Sequence, residues 1–115
     1  MRMRRNLSRR ERLKAKADLQ RVFTKAASSE TKGFKLLYIE NALSWNRIAV
    51  CPVRGFARAV DRNRQKRACR EAYRQLKERI RPGLDLAFVL YPGAYGVQDR
   101  YRQLELVLQR AGLSR

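Results

Sequence analysis

The sequence predicts a single α+β domain: a small sheet with helices packed on it as a sandwich. Three observations carry this. The 115 residues leave room for one hydrophobic core, since a chain of this length buries roughly two-thirds of its unfolded surface. Three segments place apolar residues at helical spacing, and short β-rich apolar runs bounded by turn residues lie among them. The order is helix, strands, helix, strand, helix, with no internal repeat.

Residues 1–12 are dominated by arginine and poor in apolar side chains. They read as a basic N-terminal arm that seeks phosphate, ahead of one domain over 13–115. Leu19, Val22, Phe23 and Ala26 then recur at i, i+3, i+4 and i+7, an amphipathic helix. It ends near residues 25–27, where Ser28-Ser29 and then Gly33 break the pattern. Residues 34–40 (Phe-Lys-Leu-Leu-Tyr-Ile-Glu) are aromatic and aliphatic, and read as a strand. Residues 41–46 connect, with Trp45 placed as a cap over the edge of the core. A second strand covers 47–53, and Pro52, which has no amide proton for a ladder, marks a strand end, an edge or a bulge.

Gly55 opens a basic loop that leads into a long helix over 61–80. Asp61 is suited to cap it, because a carboxylate accepts from the free amides of the first turn. Pro82-Gly83 stops it. Residues 84–91 (Leu-Asp-Leu-Ala-Phe-Val-Leu-Tyr) form a nearly continuous apolar run, as expected of a strand central to the sheet. A loop over 92–96 leads to the last helix, where Tyr101, Leu104, Val107, Leu108 and Ala111 share a face and Gly112 ends the run.

The net charge is +18 and the pI about 11.3. Self-repulsion of this size opposes compaction and suits a chain whose partner is a dense polyanion. No apolar run reaches the ~18 residues that span a bilayer, and no apolar stretch follows the first arginines as in a signal peptide. The expectation is a cytoplasmic protein without a membrane partner. Cys51 and Cys69 are the only cysteines, and there is no histidine. They form no CxxC pair and lack partners for a zinc set, so both read as small, half-buried apolar residues. Without histidine the commonest general base near neutral pH is missing. No metal site and no catalytic residues are expected in the protein.

The helix over 61–80 carries the functional argument. At about a hundred degrees per residue, Ala68, Cys69, Ala72, Leu76 and Ile80 share one arc, with Tyr73 at its border. Arg62, Lys66, Arg67, Arg70, Arg74 and Lys77 share the other. Like charges at i, i+4 repel, and Glu71 and Glu78 alone relieve them locally. A polyphosphate removes the repulsion by neutralisation and counterion release. Arginine, which predominates, forms bidentate contacts with phosphate. The helix N-terminus attracts phosphate as well. Asn63, in the first turn, can both donate and accept; on sequence alone it is equally a plain surface residue.

The run Ala59-Val60-Asp61-Arg62-Asn63-Arg64-Gln65-Lys66-Arg67-Ala68-Cys69-Arg70-Glu71-Ala72-Tyr73-Arg74 resembles the signature of the bacterial ribonuclease P protein family. That pattern is Ala-Val, one variable residue, Arg-Asn-Arg, one variable, Lys-Arg, two variable, Arg-Glu-Ala, an aromatic, then Arg. Leu19-Gln20-Arg21-Val22-Phe23 is similar to the family's aromatic-x-x-Val-Phe. The strand ending at Tyr38, Arg47-Ile48-Ala49-Val50, and Gly83-Leu84-Asp85 fit as well. The resemblance covers about residues 12–91.

It implies an α-β-β-β-α-β-α order with a left-handed crossover around the long helix. It also implies a protein that binds the RNA subunit of ribonuclease P and the 5′ leader of precursor tRNA, while the RNA carries the catalysis. The magnesium then belongs to the RNA-containing holoenzyme, and the protein binds no cofactor of its own. Carried over by residue, Arg62, Asn63, Arg64, Lys66, Arg67 and Arg70, with Arg54 and Arg58 of the preceding loop, contact the RNA subunit. Phe23 and Tyr38 line the leader cleft, with Leu19 where the family usually has an aromatic; single-stranded RNA stacks on aromatic faces in such grooves. On spacing alone Phe23 is equally a core residue. The chain departs from the family at Leu19, at Val53-Arg54-Gly55, which keeps one cation of the usual two, and at Ala57-Arg58-Ala59-Val60. Two other readings share the composition: a small basic ribosomal protein, and a protein-only nuclease. The nuclease would need carboxylates clustered on metal, for which Asp61 and Asp85 are the one pair to examine.

Overall fold

The computed structural model describes residues 8–115. Its helices are α1 (Lys16–Lys25), α2 (Ala59–Leu76) and α3 (Val97–Ala111). Its strands are β1 (Ala27–Thr31), β2 (Phe34–Glu40), β3 (Arg47–Pro52) and β4 (Leu84–Leu90), with short 3₁₀ turns at Arg9–Glu11 and Lys77–Arg79. The chain order is α-β-β-β-α-β-α, and the sheet order is β1-β2-β4-β3. β4 runs antiparallel to β2 and parallel to β3. A parallel pair needs a crossover, and α2 supplies it.

The central place of β4 explains its continuous apolar run, since both faces are covered. Leu84, Leu86, Phe88 and Leu90 point to the side occupied by α2 and α3, where they join Phe34, Leu36, Tyr73, Leu76 and Leu104. Ala87 points to the other side, against Leu13 and Val22, with Leu19, Leu37, Ile39 and Ala49 packed around them. α1 therefore covers one face of the sheet while α2 and α3 cover the other. Leu13 donates its amide to the Ile48 carbonyl, and Val53 donates to Leu90. Ile48 and Pro52 thus face the open edge of β3, where the missing amide proton of Pro52 costs nothing.

Several sequence expectations shift. α1 ends at Lys25 as expected, but Ser28-Ser29 is not a loop; it lies in β1, a polar edge strand joined to β2 by a two-residue turn with Gly33 at φ +80°. α2 begins at Ala59, with Arg58 in the cap position and Arg62 donating to its carbonyl. Asp61 is not the cap. It sits in the first turn, where its carboxylate accepts from the Arg58 guanidinium at 3.1 Å and suits the positive end of the helix. The helix proper ends at Leu76, and Ile80 is reached through the 3₁₀ turn yet remains in the core.

Trp45 does not cap the core edge. Its indole Nε1 donates to the Arg10 carbonyl at 3.0 Å, and the Arg10 guanidinium lies 4.8 Å from the ring centre. Of the arm expected over 1–12, residues 1–7 lie outside the described residues. The remainder is seated on the domain: Glu11 pairs with Lys77 at 3.2 Å, and Arg12 bridges to Ile48. Cys51 is half-buried and Cys69 fully buried, both free, with burial pushing the Cys69 thiol up to about 12. Among the described residues, no helix is long and apolar enough to cross a membrane.

Candidate nucleic-acid interface

α2 splits as its periodicity requires. Ala68, Cys69, Ala72, Tyr73 and Leu76 are buried on the sheet, joined by Gln65, a polar residue absent from the sequence expectation. Arg62, Asn63, Arg64, Arg67 and Arg70 are exposed, and Lys66 is half-buried. Among the described residues, no carboxylate lies within ion-pair distance of Arg62, Arg64, Lys66, Arg67 or Arg70. The stripe then ends abruptly. Arg74 is held by Glu71, and Lys77 by Glu11. The uncompensated cations therefore occupy the first three turns, beside the exposed Arg54. Arg58, with 70% of its side chain exposed, shares the Asp61 carboxylate. Helix spacing alone could not separate Arg74 and Lys77 from the rest, because one of their partners comes from the far N-terminal segment.

An open cleft of about 450 Å³ lies between the start of α1, the edge of β3 and α2. Arg12, Lys14 and Arg70 give it charge, while Leu19, Val50 and Cys51 give it apolar surface. Of the three residues assigned to a leader cleft, Leu19 lines this opening. Phe23 sits one turn further along α1 with 51% of its surface exposed, outside the core. Tyr38 is not brought to them. It packs against the core between the sheet and α2 and α3, whereas Leu37 and Ile39 face α1. Side chains alternate along a strand, and that alternation puts Tyr38 on the opposite face. Arg12 falls at the end of the segment expected as a basic arm and Lys14 just after it, and no local pattern links either to the cleft.

Asp85 is fully buried on the α1 side. Arg47 grips it with two bonds, Nε to Oδ1 at 2.8 Å and Nη2 to Oδ2 at 2.7 Å, and Asn41 adds a third at 2.9 Å. Arg21 approaches at 3.4 Å. Burial pushes this carboxyl up, but the bonds from Arg47 and Asn41 and the charges of Arg47 and Arg21 outweigh it, leaving it below its usual range. Its oxygens are thus engaged with arginine and amide donors. Among the described residues, no group of three or more His, Cys, Asp or Glu is gathered as for a metal.

A basic helix face beside a half-apolar cleft is the arrangement expected of a protein that holds folded and single-stranded RNA together. The family model for ribonuclease P matches residues 7–112 of the chain. The chain belongs to the ribonuclease P protein family. Members of that family serve in RNA-subunit binding and tRNA 5′ processing. The ribonuclease P protein component of Nitrosococcus oceani is 38% identical over 77 residues, covering 66% of this chain and 64% of that relative. The component from Petrotoga mobilis is 39% identical, covering 69% of this chain and 67% of its own. The chain thus spans about two-thirds of the length of these curated relatives.

Ribonuclease P proteins of known structure match more of it. The Staphylococcus aureus protein superposes with a TM-score of 0.80 at 27% identity, over 91% of this chain and 98% of that one. The Thermotoga maritima protein gives 0.77 at 25% identity, over 87% and 96%. A fold shared this completely makes the α+β sandwich a property of the family and not of this chain alone.

Proposed function

We propose that the chain is the RNA-binding subunit of a cytoplasmic ribonuclease P. In this reading α2 docks on the catalytic RNA, and the cleft between α1 and β3 guides the 5′ leader of precursor tRNA. The carrying observation is the run of five cations on the first three turns of α2 that, among the described residues, have no carboxylate within ion-pair distance, next to others that are paired. Such charge is neutralised by phosphates that release their counterions. Arg62, Arg64, Lys66, Arg67 and Arg70 supply that contact, with Asn63 in the same turn to reach a 2′-OH or a base edge. Arg54 extends the surface, and Arg58 joins it on exchanging Asp61 for phosphate.

Leu19 gives the leader an apolar surface, with Phe23 available for stacking at the cleft's end. Arg12, Lys14 and Arg70 then follow its backbone. The phosphodiester is cut by the RNA with its own magnesium, and the protein lowers the magnesium needed by holding both RNAs. Reconstitution tests this. Added to a bacterial ribonuclease P RNA at low magnesium, the protein should restore leader removal, while the protein alone should leave precursor tRNA intact. Cleavage by the protein alone would overturn the assignment of chemistry to RNA.

A further inference from the structure

A second groove, of about 620 Å³, lies at the head of α2, between the loops at 55–57 and 92–96. It is separate from the cleft beside α1 and shares no lining residue with it. Phe56, Pro92 and Tyr95 supply flat apolar surface, and Asp61 and Arg64 supply one acceptor and one cation. Its walls are kept thin by glycine. A Cβ on Gly93 would lie 2.3 Å from the Tyr95 ring, and one on Gly55 would lie 3.2 Å from the Pro92 ring.

The groove is also held rigid at some cost. Arg100 is fully buried and, among the described residues, has no carboxylate within ion-pair distance, an expensive placement for a charge. Two of its bonds run to the β1–β2 turn and along α3, to the Gly33 carbonyl and Gln103, and the others reach the segments that form the groove. Nη2 donates to the Tyr91 carbonyl at 3.2 Å, Nε donates to Gln65 Oε1 at 2.9 Å, and the guanidinium lies 4.5 Å from the centre of the Tyr95 ring. Gln65 in turn donates to the Tyr95 carbonyl at 2.8 Å. A buried cation that joins this loop to α2 and to the β1–β2 turn holds the groove in shape before any ligand arrives.

We propose that this groove takes one unpaired, extruded nucleobase of the RNA partner, with preference for bases that carry an exocyclic amino group. The occupant follows from the lining. Aromatic and proline faces stack a base of any kind, Arg64 meets the adjoining phosphate, and the Asp61 carboxylate accepts from an amino group. Adenine, guanine and cytosine have that group; uracil offers a carboxylate only its ring N3–H, flanked by two carbonyl oxygens that repel it. The groove is continuous with the cationic face through Arg64, so this inference rests on the reading that α2 binds RNA.

Two measurements test it. In the first, the full chain is titrated with AMP, GMP, CMP and UMP while its amide signals are followed by NMR. The first three should shift Gly55, Gly93 and Gly96, and UMP should bind about tenfold more weakly, the effect of one hydrogen bond to a charged group. In Asp61→Asn the discrimination against UMP should shrink. Equal shifts by all four nucleotides would overturn the amino preference. In the second, Ala94→Leu narrows the groove at an exposed position without altering charge. Its affinity for the RNA subunit should fall about tenfold, the worth of one stacked base, with an unchanged salt slope. Binding equal to the parent chain would show that no base enters. If the parent chain itself fails to bind that RNA, the reading of α2 falls, and the nucleotide titration still judges the groove.

Discussion

Asp85 and Arg100 are both fully buried charges, and the chain treats them in opposite ways. Asp85 has two arginines and an amide around it, so its charge is compensated in place. Arg100 has only neutral acceptors, the carbonyls of Gly33 and Tyr91 and the side chains of Gln65 and Gln103, and burial lowers its affinity for its proton. Neither role was legible in sequence, where Asp85 interrupts an apolar run and Arg100 is one cation among 28. Their partners come from distant elements that no local pattern links. The Asp85 carboxyl titrates below its ordinary range when folded, so its contribution is present above the unfolded value and is lost as pH falls through the folded one. Stability should therefore decline on acidification below about pH 4. Asp85→Asn should cost roughly 2–4 kcal/mol near neutral pH, because it leaves Arg47 facing a neutral group, and should flatten the acid limb. Urea unfolding at several pH values measures both. An acid limb as steep as in the parent chain would place the titration elsewhere.

At the scale of elements, periodicity carried most of the fold, and it failed where an element is defined by its neighbours. β4 and α3 were readable because their apolar patterns are dense and their ends are marked by Pro82-Gly83 and Gly112. β1 was not, since Ala-Ser-Ser-Glu-Thr is an edge strand with little to bury, and only its pairing with β2 makes it a strand. The inner and outer arcs of α2 follow from spacing, whereas the pairing of Arg74 and Lys77 with acids, which ends the uncompensated stretch at Arg70, does not. That length gives a prediction internal to one helix. Arg67→Ala should lower the slope of log affinity against log salt for the RNA subunit by about one unit, as loss of one phosphate contact does. Arg74→Ala, which removes a cation already held by Glu71, should change the slope by much less. Filter binding over a salt series separates them. Equal changes would mean that the Glu71–Arg74 pair opens on RNA and that the face runs the whole helix.

The whole molecule carries its excess charge unevenly. Seven of the ten acids, Glu11, Asp18, Glu40, Asp61, Glu71, Asp85 and Glu105, are committed to pairs, so the net +18 resides in cations that far outnumber the three acids left, Glu30, Glu78 and Asp99. Five of these cations crowd onto three turns of α2, where i, i+4 neighbours are about 6 Å apart along the axis, inside a Debye length of about 10 Å in 0.1 M salt. Folding concentrates that charge and the unfolded chain relaxes it, so added salt should stabilise the fold. The same salt weakens RNA binding, because releasing counterions into a more concentrated solution gains less entropy. One charge distribution therefore predicts opposite responses. Between low and high sodium chloride, the Tm of the free protein should rise by several degrees while its affinity for the RNA subunit falls by orders of magnitude. Circular dichroism melts and binding titrations in the same buffers measure the two. If Tm stays flat while affinity falls, the cations are spaced widely enough not to strain the fold, and the crowding on α2 is no burden to the free chain. A rise in Tm that disappears in the combined variant Arg62→Ala, Arg67→Ala, Arg70→Ala would locate the repulsion on the surface that RNA neutralises.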